Sequence, residues 1–211
     1  PTLSLLTLAL TLTLLTLLTP NSIPNPDPNP DPNPNPDNPH PKAGGNLSAG
    51  EIAEQVLVAR GRLAAGRKLT NLVVMGMGEP MLNLDGLLPA LKVLTEQCGL
   101  GFAQDKLTIC TVGHVPGIDA LRALGFKRLN LSLSLNQADE AARARIMPNS
   151  TRYSLTEIQA ALGRYRQRKN AALGVHWCLL PGINDRAEDA DRVADFVRPD
   201  RKSTRLNSVT Q

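Results

Sequence analysis

No two cysteines of this chain stand at metal-ligand spacing. Cys98, Cys110 and Cys178 lie far apart, which excludes a Cys-x-x-Cys motif and a disulfide frame, and reads as reduced cytosolic thiols. His40, His114 and His176 add no ligand pattern, so they are expected as surface or core residues and no metal site is expected from spacing. Aromatic residues amount to only 3%. A core must therefore rest on Leu, Val, Ile and Ala, a mix that suits buried parallel strands flanked by helices. Acid is scarce in one region. From Leu121 to Asn170 three acids (Asp139, Glu140, Glu157) face ten bases (Arg122, Lys127, Arg128, Arg143, Arg145, Arg152, Arg164, Arg166, Arg168, Lys169), which suits a polyanionic partner and equally a solvated helical face.

Core-building sequence is missing from both ends. Residues 1–19 are uncharged Leu and Thr, near the roughly 20 residues that span a bilayer. They lack the basic n-region, the initiating Met and the small-residue cleavage site of a signal peptide. The Leu/Thr alternation reads equally as a strand or as a low-complexity run, and no membrane partner is expected. From Pro20 to Pro41 an Asn-Pro/Asp-Pro repeat removes backbone donors and disfavours helix, so residues 1–45 are expected to lie outside any domain. The run Asp200 to Ser208 resembles a translated sequencing adapter, and residues 198–211 are likewise expected as a non-domain tail.

Between them, residues 46–197 alternate in pattern. Ser48 and Glu51 have capping-box spacing ahead of a helix ending near Gly66, with Ile52, Val56, Val58 and Leu63 as its apolar face. The apolar run Asn71–Met75 breaks into Gly76, Gly78, Glu79 and Pro80, which reads as a strand buried on both faces with a tight turn at its tip. Bare glycine there lets a ligand approach backbone, and Glu79 is the charge at the tip. Met81 stands where a dinucleotide fingerprint needs its third glycine, so that motif is excluded. A helix over Leu84–Gln97, a strand over Lys106–Thr111 and a short helix over Val115–Leu124 follow. Arg128–Leu135 alternates Leu with Asn and Ser, a strand with its polar residues on one side. Helices over Ala138–Ile146 and Ser154–Lys169, a strand over Leu173–Leu180 and a helix over Glu188–Val197 complete the region.

Such alternation implies parallel strands with right-handed crossovers, in an open doubly wound sheet or in part of a (β/α) barrel. Polar residues near several strand ends favour the barrel piece: Glu79, Cys110 or Thr111, Ser134 with Asn136, and Asn184. Four strands cannot close one, so the expected fold is α/β, a partial TIM-type barrel.

The motifs resemble, in order, the radical S-adenosylmethionine enzymes that methylate C2 of an adenine in large-subunit (23S) ribosomal RNA. The matching residues are Asn46-Leu-Ser-Ala-Gly-Glu-Ile52, Met75-Gly-Met-Gly-Glu-Pro80, Thr111-Val-Gly113, Val115-Pro-Gly-Ile118, Ser134-Leu-Asn136, Met147-Pro148, Arg152-Tyr153 and Asn184-Asp185. The resemblance implies a partial TIM-type barrel of the radical S-adenosylmethionine class over residues 46–197, lacking the family's first and last strands, with S-adenosylmethionine as cofactor beside a [4Fe-4S] cluster. It implies that Gly78 and Glu79 hold the amino group of S-adenosylmethionine, that Cys110 occupies a cofactor-contacting place where the family commonly has Ser, and that Ser134, Leu135 and Asn136 match the family's Ser-Leu-His segment. Asn136 keeps a donor and an acceptor but cannot titrate. Ser134 and Asn136 suit equally well the capping of the helix that follows.

One departure weighs heavily. The family's Cys-x-x-x-Cys-x-x-Cys loop should precede Asn46, where this sequence has no cysteine, and cluster iron takes thiolates. No catalytic or metal-ligating residue is therefore assigned, and the chain as it stands is expected to be an inactive fragment. Resemblance further implies ribosomal RNA and possibly transfer RNA as partners, a monomer, and a cytoplasmic place. Two other readings stand beside it: an adenine C8 methyltransferase of the same superfamily, and a non-catalytic RNA-binding remnant.

Overall fold

A computed structural model describes residues 46–75, 78–150, 152–166, 172–198 and 204–210. Residues 1–45, with the Leu/Thr run and the Asn/Asp-Pro repeat, lie outside them, as do Gly76 and Met77. Among the described residues the α-helices are α1 (Ala49–Gly61), α2 (Leu84–Thr95), α3 (Val115–Ala123), α4 (Glu140–Ile146), α5 (Leu155–Arg166) and α6 (Ala187–Val197). The strands among them are β1 (Leu72–Val74), β2 (Leu107–Thr111), β3 (Asn130–Ser134), β4 (Leu173–Leu179) and β5 (Thr204–Thr210).

α1 begins where the capping box predicts it. The Ser48 N–H donates to Glu51 Oε2 at 2.7 Å and the Glu51 N–H donates to Ser48 Oγ at 3.3 Å, satisfying two of the helix's orphan donors. Ile52 and Val56 are fully buried, but Val58 is 46% exposed. Six residues at 100° each turn Val58 well away from Ile52, so the helix's apolar face narrows to Ile52, Val56 and Ala59, and Leu63 packs against the core from just past the helix end. The helix also ends at Gly61, a turn earlier than expected.

The strands run in sequence order β1-β2-β3-β4-β5, each pair parallel. A doubly wound sheet reverses its strand order at a switch point, and no reversal occurs here, so the sheet is an open arc of a (β/α) barrel. Thr204–Thr210, expected as tail, pairs along β4 over seven residues.

Pairing register sorts the side chains into two faces. Leu72 and Val74, Leu107 and Ile109, Leu131 and Leu133, and Leu173, Val175 and Trp177 share one face and are buried with helix residues such as Ile118, Ile158 and Tyr165. The other face carries Val73, Thr108, Cys110, Asn130, Ser132, Ser134, Gly174, His176 and Cys178. The Leu/Ser alternation of β3 thus separates a helix-packed outer wall from a polar inner wall, as the sequence implied. Among the described residues no helix is long and apolar enough to cross a membrane.

Candidate cofactor cradle at the strand tips

Glu79 follows β1 immediately before a 3-10 turn, Pro80–Leu82, and caps it. Its Oε1 accepts the Met81 N–H at 3.0 Å, and its Oε2 accepts the Val112 N–H, just past the end of β2, at 2.7 Å. One carboxylate therefore pins the tip of β1 to the tip of β2. Burial pushes its pKa up from the ordinary 4.5, and the Val112 and Met81 amides pull against that. Among the described residues no cationic side chain pairs with it.

The Thr111-Val-Gly113 segment is shaped by packing. Gly113 has φ +107°, and a Cβ there would lie 2.5 Å from the Ile158 side chain. Only glycine fits both the dihedral and the space. Thr111 Oγ1 accepts the N–H groups of Gly113 and His114, and His114 Nδ1 in turn caps α3 by accepting the Gly117 N–H at 3.1 Å. Burial and then nearby Arg152 lower the His114 pKa, which keeps the imidazole neutral for this acceptor role.

Cys110 lies on the inner wall, 4% exposed, with its thiol pushed up to about 11 by burial and then by the Glu79 charge. Such a thiol stays protonated at neutral pH and is a poor nucleophile. Ser134 is half-buried on the same wall. Leu135 is fully buried, and both its backbone groups are engaged: its N–H donates to the His176 carbonyl at 3.0 Å and its carbonyl accepts from Arg143 Nε at 3.0 Å.

Asn136 has φ +55°, a left-handed conformation that Asn tolerates better than most residues. Its Oδ1 accepts the Cys178 N–H at 2.9 Å, and its carbonyl accepts Asn184 Nδ2–H at 2.7 Å. Asn184 also donates to the Cys178 carbonyl at 2.8 Å and accepts the Leu180 N–H at 2.7 Å. The two asparagines lock the tips of β3 and β4 together. Neither Ser134 nor Asn136 caps α4, because that cap is Asp139, whose Oδ1 accepts the Ala142 N–H at 2.8 Å.

Arg143 stands out in the sequence only as one base of the Leu121–Asn170 stretch. It is 3% exposed, and its guanidinium donates to the carbonyls of Val112 (2.7 Å), Ser134 (3.3 Å), Leu135 (3.0 Å) and Ser150 (3.2 Å). The only signal was an arginine inside the Met-Pro motif's preceding helix, where a solvated face is the ordinary expectation. Other members of the basic stretch are spent internally: Arg128 pairs with Asp105, and Arg164 makes two bonds to Asp119 at 3.0 and 2.7 Å.

Tested against the groups that the resemblance implies, the site fits one and not the other. A buried carboxylate with two amide donors keeps lone pairs and uncompensated charge for an ammonium. For an iron-sulfur cluster, among the described residues no three His, Cys, Asp or Glu converge, and the free thiols sit apart on an exposed loop, on β2 and on β4. The described residues do not hold such a cluster.

The fold matches a segment of a radical S-adenosylmethionine barrel: a crystal structure of a radical SAM methyltransferase from Sphaerobacter thermophilus superposes with TM-score 0.71 at 34% identity, over 77% of this chain and 47% of that one. No family model matches. Among curated proteins the chain is 42% identical over 153 residues to the probable dual-specificity RNA methyltransferase RlmN 1 of Opitutus terrae, 39% over 153 residues to the probable RlmN of Rhodopirellula baltica, and 36% over 162 residues to the RlmN of Syntrophobacter fumaroxidans. These alignments take in 72–76% of the chain but only 41–46% of the relatives. The barrel segment is homologous to the RlmN dual-specificity RNA methyltransferases, and the chain spans less than half their length.

Proposed function

We propose that this chain is the part of a radical S-adenosylmethionine RNA methyltransferase that grips the amino-acid end of the cofactor. The observation that carries the reading is Glu79: a buried carboxylate at the mouth of the strand arc, held by two amides and, among the described residues, matched by no cationic side chain. An ammonium group would supply the missing charge and relieve the desolvation that burial imposes. Glu79 and the Gly78 backbone hold that group; Ser134 and Asn136 border the cofactor from β3. Arg143 and the Asn136–Asn184 lock keep the tips in register. Bound there, S-adenosylmethionine supplies the methyl group and the radical chemistry of the class.

The substrate of the whole enzyme is C2 of an adenine in large-subunit ribosomal RNA, with transfer RNA as a second substrate, which accords with the words dual-specificity in the relatives' names. The parent works as a cytoplasmic monomer. Residues 46–197 are its barrel segment, and this chain alone does not turn over, since its sequence offers no cluster loop.

Titration calorimetry tests the reading. S-adenosylmethionine binds the chain, and Glu79→Gln weakens it at least tenfold; equal affinity of the two proteins sinks the assignment. Adenine methylation by the chain alone, under anaerobic conditions with iron and sulfide, would overturn the inactivity.

A further inference from the structure

Ser132 is 2% exposed, and among the described residues its Oγ is the buried side-chain polar atom with no hydrogen-bond partner. Folding has desolvated this hydroxyl without returning a bond, which native structures seldom tolerate unless something outside the fold uses the group.

Its surroundings point to what does. Ser132 lies on the inner wall, directly opposite Cys110 on β2 and Gly174 on β4. Ser134 stands two residues further along β3 on the same face. Neighbouring strands are about 4.8 Å apart and alternate residues of a strand about 6.6 Å apart, so a ligand reaching from Cys110 to Ser134 runs within about 4 Å of Ser132. Gly174 leaves the hydroxyl uncrowded on the far side: a Cβ there would come within 2.8 Å of Ser132 Oγ. Of this row of three, glycine has no side-chain polar atom and the packed Cys110 thiol is a weak donor. Only Ser132 offers a full-strength hydrogen bond.

We propose that Ser132 is a binding residue of the cofactor cradle, its hydroxyl bonding a polar atom of the adenosyl group of S-adenosylmethionine in the row where Cys110 provides only a thiol. The inference rests on the reading that Glu79 holds the amino group of the same molecule.

The test uses the full 211-residue chain, titrated with S-adenosylmethionine and melted with and without it. Ser132→Ala weakens binding by about five- to tenfold, the loss of one hydrogen bond, while its Tm without ligand is unchanged or raised because an orphan hydroxyl has gone. Adding Cys110→Ser to Ser132→Ala puts a hydroxyl back in the row and recovers part of the affinity. If Ser132→Ala binds as wild type while Glu79→Gln is weakened, the Ser132 assignment fails and the amino-group reading stands. If neither variant is weakened, or the wild-type chain does not bind, both fail. A lowered Tm for ligand-free Ser132→Ala shows a hydroxyl kept for folding, and overturns the proposal.

Discussion

Glu79 and Arg143 carry opposite charges at the same end of the sheet and do not pair; each instead holds one side of Val112. Glu79 accepts the Val112 N–H at 2.7 Å, and Arg143 donates to the Val112 carbonyl at 2.7 Å. A direct ion pair would have neutralised both groups. Kept one residue apart, the carboxylate stays available to a cation while the guanidinium is saturated by carbonyls, so the acid binds and the base braces.

That bracing has a measurable worth. Arg143→Met leaves the carbonyls of Val112, Ser134, Leu135 and Ser150 without their side-chain donor inside a buried site. Unsatisfied buried groups cost about 1–3 kcal/mol each before relaxation, so a loss of roughly 3 kcal/mol is expected in urea unfolding followed by Trp177 fluorescence. Arg143→Lys keeps the charge but not the planar fork, and recovers less than half. A Met variant as stable as wild type would mean that water replaces the guanidinium without penalty.

Gly113→Ala tests the turn that carries Val112. The substitution forces an L side chain to φ +107° and drives its Cβ to 2.5 Å from fully buried Ile158. Backbone strain of this kind costs about 1–3 kcal/mol, with overpacking added. Ile158→Ala removes the clash but not the dihedral, so Gly113→Ala is expected to remain destabilising by at least about 1 kcal/mol in that background. Equal melting temperatures of Ile158→Ala and the double variant would contradict a strained turn.

The strands were legible because their signals are local. Alternating Leu and Ser in β3 fixes which face is polar, and the break from Val74 into glycine, Glu79 and proline marks a strand tip. Helix and strand alternation gave the parallel arc. Arg143 was not legible, since its burial depends on carbonyls from Val112 and Ser150, one 31 residues away, converging on a helix that by composition reads as solvated. Asn136 was half legible: the motif marked it, but its left-handed φ of +55° and its bond to Cys178, 42 residues on, come only from the fold. The same dihedral gives a physical reason why the resembling family can carry His where this chain has Asn, as both tolerate that region.

Cysteine reactivity follows from placement. Cys98 is exposed, whereas Cys110 is buried with its thiol pushed up to about 11. At pH 8 only ~0.1% of such a thiol is ionised, before access is considered. Iodoacetamide at pH 8, read by peptide mass spectrometry, should therefore modify Cys98 first and Cys110 last in the native chain. Early labelling of Cys110 would show the inner wall to be open.

Glu79 gives a pH dependence whose sign is fixed. Its folded-state pKa is raised above the ordinary 4.5, chiefly by burial, so between those two values the folded chain holds more protons than the unfolded one. Stability then falls as pH rises from 4.5 through the folded pKa, and Glu79→Gln flattens this segment of the profile. An ammonium ligand favours the charged carboxylate and reverses the trend. In the presence of S-adenosylmethionine the melting temperature should rise with pH across the same window, and in Glu79→Gln the ligand should leave the profile flat. A ligand-induced shift of equal size on both sides of the window, in wild type and variant alike, would place the cofactor's amino group on some other residue.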